Sequence, residues 1–286
     1  MEPMLIFTHI PKSGGNTVNA IFRGICHHRG WNALTLSGST SFYGRVLAPL
    51  ELMVKTNIQR RCFEFITGHV PFVTSMTCFG PAQFVTVLRD PVARFLSDYC
   101  SQPDNIVQRD FGLSKIDHWL NTDLRPEFCH DNLQVRMLAD APRFSERATP
   151  AMLDEAIRNL KAFYLFTGIL ENIDGFINDV AEMCGVRIGI IPHLNKSNPY
   201  QHAITTDIAD AVLRENELDM QLYEQVNAQI QERSSNGKQG STQNNTERPE
   251  IVPISFPSSL PMLPARNVNR NSNQEIILGP GEFIAI

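Results

Sequence analysis

Short apolar runs and helically spaced apolar positions take turns along most of the chain. Met4 to Phe7 is an uninterrupted apolar run of strand length, and it breaks at Pro11, Ser13, Gly14 and Gly15. Beyond the break, Val18, Ile21, Phe22 and Ile25 fall at helical spacing, so the stretch reads strand, Gly-rich turn, helix. Gly30 to Gly44 is a polar surface excursion, and Pro49 to Gln59 is short-helix sequence. Cys62 to Thr67 alternates like a strand that ends at Gly68 and His69. Gln83 to Leu88 is the strongest strand pattern and stops at Arg89-Asp90-Pro91. Pro91 then suits the first turn of a helix to Tyr99, with Asp90 as its N-cap and Val92, Phe95, Leu96 and Tyr99 inward.

The alternation continues toward the C-terminus. Gln102 to Gly112 has loop character, and helices are predicted over Leu113 to Asn121, Asp131 to Ala139, Ala151 to Lys161 and Ile173 to Met183. Phe163 to Thr167 reads as a strand, and His193 to Pro199 as a polar loop. Two closing helices follow, capped by Thr206 or Asp207 and extending through Gln231. Strands alternating with helices predict an α/β fold with a central, mostly parallel sheet flanked by helices. Residues 1–233 form that domain. From 234 to 286 Ser, Asn, Gln, Gly and Pro dominate, predicting a flexible tail whose apolar end, Ile276 to Ile286, is able to dock on the body or on a partner.

Composition narrows the function classes. With 286 residues, 42% of them hydrophobic, the chain can bury one substantial core. The net charge of −5 offers no general basic field for nucleic acid. Six cysteines are scattered without a C-x-x-C pair, and no His, Cys, Asp and Glu cluster has metal-ligand spacing, so no metal is expected. No apolar run reaches the roughly 18 residues of a membrane span and no signal-like segment opens the chain, so the expectation is a cytoplasmic protein.

The candidate chemistry sits where two strands end. Glycines allow backbone N–H groups to crowd around a phosphate, the helix start adds partial positive charge, and Lys12 adds a full one. Ser13, Asn16 and Thr17 bring side-chain donors beside Gly14 and Gly15. The lysine precedes both glycines, so the Walker order of ATP and GTP sites is not met. At the second strand end, the fork of Arg89 suits a fixed phosphate, and Ser97 lies two turns into the helix.

With Lys12-Ser13-Gly14-Gly15 and Leu88-Arg89-Asp90-Pro91 through Arg94-Phe95-Leu96-Ser97-Asp98-Tyr99 both present, the chain resembles the carbohydrate sulfotransferases, most of all their heparan sulfate 2-O- and 6-O- branch. The resemblance continues weakly in Asn132 to Leu138, Thr167 to Glu171 and Asn216 to Tyr223, and leaves the tail unmatched. It implies a P-loop-like sulfotransferase fold and 3′-phosphoadenosine 5′-phosphosulfate (PAPS) as co-substrate. Lys12 to Thr17 would hold the phosphosulfate, and Arg89 and Ser97 the 3′-phosphate. His69, with Lys12, would be catalytic, taking the proton of the acceptor hydroxyl. Lys196 and Ser197 would close over the nucleotide. Where the 2-O branch carries a second histidine this chain has Thr67, which favours a single-histidine arrangement.

The expected reaction is in-line transfer of a sulfuryl group to a carbohydrate hydroxyl. A nucleotide-dependent kinase and a non-catalytic nucleotide- or glycan-binding protein are the rival readings. The acceptor and the oligomeric state are not written in the sequence.

Overall fold

Successive side chains of β1 (Leu5–Thr8) point to opposite faces, and both faces meet apolar layers. Leu5 and Phe7 join one buried cluster with Val18, Ile21, Phe22 and Ile25 of α1 (Gly15–Arg29), whereas Ile6 joins another. A strand covered on both sides belongs to the interior of a parallel sheet. The computed structural model describes residues 4–36, 63–79, 82–99, 131–139, 147–189, 191, 205–237 and 283–285. Within them β1, β2 (Ala33–Leu36), β3 (Phe65–Gly68), β4 (Gln83–Leu88) and β5 (Tyr164–Ile169) pair in parallel, in the spatial order β5-β4-β1-β3-β2. A further strand, β6 (Phe283–Ala285), adds in parallel to the outer edge of β2.

Helices cover both faces. On one, α1 and α6 (Ile173–Met183) bury Phe22, Ile173, Phe176 and Val180 against Phe7, Val85 and Val87. The Phe22 ring stacks on Phe65 of β3 with centroids 4.3 Å apart. On the other face, Phe72 of α2 (Phe72–Phe79), Leu133 and Met137 of α4 (Leu133–Leu138), Met152 of α5 (Pro150–Phe163) and Leu222 of α8 (Glu217–Gly237) meet Ile6, Phe84 and Leu88. α3 (Pro91–Tyr99) packs against α7 (Thr206–Glu215) and α8.

The expected α/β sheet is present, and the pairing is parallel throughout. Several boundaries move for local reasons. The third strand runs Phe65–Gly68 rather than Cys62 to Thr67, and it is buried at every position instead of alternating. Glu64 just before it is engaged with β2's approach, its carboxylate accepting from the Asn32 N–H at 2.8 Å. Phe163 ends α5 rather than opening β5, because the helix passes into the strand with no loop between them. The fourth helix is shorter than Asp131 to Ala139 because Asn132 is left-handed, at φ 49°. Thr205, not Thr206 or Asp207, caps α7, its hydroxyl accepting from the Ile208 N–H at 3.4 Å. α8 continues to Gly237, beyond the Gln231 through which the closing helices are expected to extend. The expected helices at Pro49 to Gln59 and Leu113 to Asn121 lie outside the described residues.

Among the described residues no helix is long and apolar enough to cross a membrane.

β5 and α6 approach closely at Gly168, where a Cβ would stand 2.6 Å from the Phe176 Cβ. Gly168→Ala should therefore destabilise the fold by about 1–3 kcal/mol, read as a lower urea midpoint with an unchanged slope.

Candidate functional site

Because the strands run in parallel, their C-terminal ends share one edge of the sheet. Thr8 stands in register with Gly68 of β3 and Thr86 of β4, while Leu88 pairs with Ile169 of β5. The next residues, His9, His69, Arg89 and Leu170, all leave the sheet there, and all line one cleft of about 610 Å³. From β1 the chain places β2 and then β3 on one side, with β3 between β1 and β2, and crosses to the other side for β4 and β5. A crevice at such a reversal is where open α/β sheets bind ligands.

One wall is the turn between β1 and α1. Lys12 has φ 67° and Gly14 φ 80°, a left-handed pair that folds the main chain around the start of α1. That helix begins without a side-chain cap, and a helix start is where main-chain N–H groups can receive an anion. Lys12, Gly14, Gly15, Asn16 and Thr17 line it. Ser13 does not: its hydroxyl is buried and has no hydrogen-bond partner among the described residues, and its N–H closes the turn onto the Ile10 carbonyl at 3.3 Å.

The opposite wall comes from the ends of β4 and β5. Asp90 Oδ1 caps α3 by accepting from the Ala93 N–H at 2.8 Å, as the sequence predicts. Arg89 and Ser97 both line the cleft. Arg89 Nη1 donates to the Lys12 carbonyl at 2.9 Å, which joins the two strand-end motifs directly. Burial lowers the guanidinium from its ordinary value, with the neighbouring Glu171 opposing; it remains a cation at neutral pH. Glu171 bridges this wall, its Oε1 accepting from the Asp90 N–H at 3.3 Å and its Oε2 from the Tyr223 hydroxyl at 3.1 Å.

Between the walls stand two histidines. His69 Nδ1 lies 2.7 Å from the His9 carbonyl. A carbonyl only accepts, so the proton is on Nδ1 and Nε2 carries the lone pair. The two rings are 4.1 Å apart between centroids, and the His9 ring fills the space that a Cβ on Gly15 would take, with Nε2 1.6 Å from that position. Burial lowers the pKa of His69; its bond to the His9 carbonyl and nearby Asp98 oppose, and Lys12 adds to the fall. His9 is held well below its ordinary value by burial first and His69 second. Both are neutral imidazoles near pH 7.

Neither a scan of protein-family models nor a search of curated proteins matches this sequence.

Of the residues singled out from sequence, Lys12, Gly14, Gly15, Asn16, Thr17, His69, Arg89 and Ser97 come together in the cleft. Ser13 stands behind it, and Lys196 and Ser197 lie outside the described residues. His9, which is not singled out from sequence, is also in the cleft, because the strand ends one residue before it and its ring lies over Gly15. The three weakly patterned segments also converge. Gln134 bonds Arg89, Asp219 accepts from the Gln134 and Val135 N–H groups, and Asn132 and Asn216 tie these helices together. Burial pushes the Asp219 carboxyl up to about 6, opposed by Arg94 and the two N–H bonds.

The neutral histidines make the fold acid-sensitive. A lowered folded-state pKa means the unfolded chain binds more protons, so stability is lost as pH falls below the unfolded value of about 6.5. Asp219 slopes the other way, its raised pKa weakening stability as pH rises toward about 6. His9→Gln isolates the first effect. Its urea-unfolding free energy should fall less between about pH 6.5 and 5 than that of the unsubstituted chain.

Proposed function

We propose that this chain is a sulfotransferase that moves the sulfuryl group of PAPS to a hydroxyl of a carbohydrate. The observation that carries the reading is the meeting, in one cleft, of Lys12, the uncapped start of α1, Arg89, Ser97 and a neutral His69. Lys12 and Arg89 are 77 positions apart in sequence, yet one hydrogen bond joins them. Two separate cationic subsites suit a ligand with two phosphate-type ends, and the start of α1 with Lys12 suits the end where negative charge accumulates. PAPS brings an activated sulfuryl group to such a site.

His69 is the residue for the acceptor's proton. Its Nδ1 is committed to the His9 carbonyl, which aims Nε2 as the base and fixes its tautomer. As the acceptor oxygen bonds to sulfur, its proton passes to that Nε2. The bond from sulfur to the phosphate oxygen breaks and leaves its electron pair on the phosphate, beside Lys12 and the helix start. The carbohydrate nature of the acceptor rests on the motif resemblance. The Glu171 and Asp174 carboxylates in the cleft wall set a mixed field there rather than a uniformly basic one.

Calorimetric titration tests the donor site. The protein should bind 3′-phosphoadenosine 5′-phosphate (PAP) at least about tenfold more tightly than adenosine 5′-phosphate, and Arg89→Ala should remove the difference. Equal or tighter binding of ATP overturns the reading in favour of a kinase. The base is tested separately. His69→Ala should lower turnover by about 10²–10⁴-fold while leaving PAP affinity within about twofold. Because His69 titrates below about 6.5, the acid limb of kcat/KM should also lie below that pH and vanish in the variant.

A further inference from the structure

The sheet ends at the pair Leu88 and Ile169, so Arg89 is the first residue on β4 that no neighbouring strand holds. An arginine there gains affinity for an anion only if its main chain is fixed, because a freely turning stem loses conformational entropy on binding. The fixing group is the side-chain amide of Gln134, from the start of α4. Its Oε1 accepts from the Arg89 N–H at 2.9 Å and its Nε2 donates to the Arg89 carbonyl at 2.9 Å. One amide thus satisfies both main-chain polar groups of one residue and pins the peptide planes on either side of it. Gln134 is fully buried, at 0% exposure, so water cannot substitute for it.

Gln134 is itself held from behind. Asp219 of α8 accepts from the Gln134 N–H at 3.1 Å and the Val135 N–H at 2.8 Å, capping a helix whose own Asn132 provides no side-chain cap. The Asp219 N–H in turn donates to Asn132 Oδ1 at 2.9 Å. Asp219 is also fully buried, close enough to the buried Arg94 for that cation to favour its charge. A continuous set of bonds therefore runs from α8 through α4 to Arg89, and from Arg89 Nη1 to the Lys12 carbonyl in the other wall.

We propose that Gln134 is a positioning residue for the Arg89 guanidinium, and that through it the closing helix α8 sets the protein's preference for a nucleotide bearing a 3′-phosphate. The second half of this inference rests on the donor site proposed above; the first half does not.

Two readouts separate them. The Arg89 Nε–H resonance of the nucleotide-free protein, assigned by its loss in Arg89→Ala, should shift or broaden in Gln134→Met. An unchanged resonance overturns the positioning role whatever the ligand. In calorimetry, Gln134→Met should weaken PAP by about tenfold and adenosine 5′-phosphate by less than about twofold, and in an Arg89→Ala background it should cost nothing further. Equal weakening of both nucleotides, or a loss that adds to that of Arg89→Ala, marks a general packing role and overturns the inference. Gln134→Glu keeps the size and the acceptor but not the donor. It serves if Gln134→Met does not fold, and it should show the same selective loss. If the unsubstituted protein does not distinguish PAP from adenosine 5′-phosphate, the donor-site reading fails, and the resonance still decides the role of Gln134.

Discussion

The bond from Arg89 Nη1 to the Lys12 carbonyl is the joint on which the cleft depends. Neither partner belongs to a regular element. Lys12 lies in a left-handed turn and Arg89 lies one residue beyond the sheet, so each would be mobile if it stood on a surface loop alone. The parallel register brings them to the same edge, and the bond then makes two walls into one site. The buried strands beneath supply the rigidity: β1 is apolar on both faces and central in the sheet, so its end cannot shift without disturbing both layers of helices.

Charge in the cleft is arranged with the same economy. Lys12 and Arg89 carry the positive charge, Glu171 and Asp174 temper it, and the two histidines are kept neutral by their surroundings. Burial lowers the histidines' affinity for protons, and the nearness of Lys12 to His69 adds to that. A neutral imidazole whose one nitrogen donates to a carbonyl is already oriented, so no ligand has to reorganise it. The cations and the neutral imidazoles are thus set apart by environment rather than by residue type alone.

Much of this was legible in the sequence, and the reason differs from element to element. β1 with its turn and α1 was readable because glycine, proline and lysine mark a strand-to-helix turn by their own local chemistry, and the Arg89-Asp90-Pro91 corner was readable through the cap that Asp90 makes. Ile173–Met183 appears with the bounds its periodicity predicts. What local pattern does not carry is who meets whom across the fold. His9 carries no signal in the local pattern, because its place in the cleft depends on the absence of a side chain six positions later, at Gly15. Gln134 and Asp219 sat in segments that looked only faintly patterned, since a buried amide and a buried carboxylate are explained by partners on other elements. The strand boundary at Phe163 was missed for the opposite reason: an apolar run continuing from helix into strand contains no punctuation to read.

The packing of His9 over Gly15 also bears on how this region can change over generations. A Cβ at 15 would stand 1.6 Å from the His9 ring, so positions 9 and 15 are not independent. A library randomised at 15 alone should return glycine, and a new side chain there becomes admissible only together with a smaller residue at 9. Lineages crossing that pair must pass through a small residue at both positions, leaving an opening beside His69. The His69 ring would then face water until the second change arrives, so the easiest mutational route into a different cleft runs through a form with a hydrated imidazole.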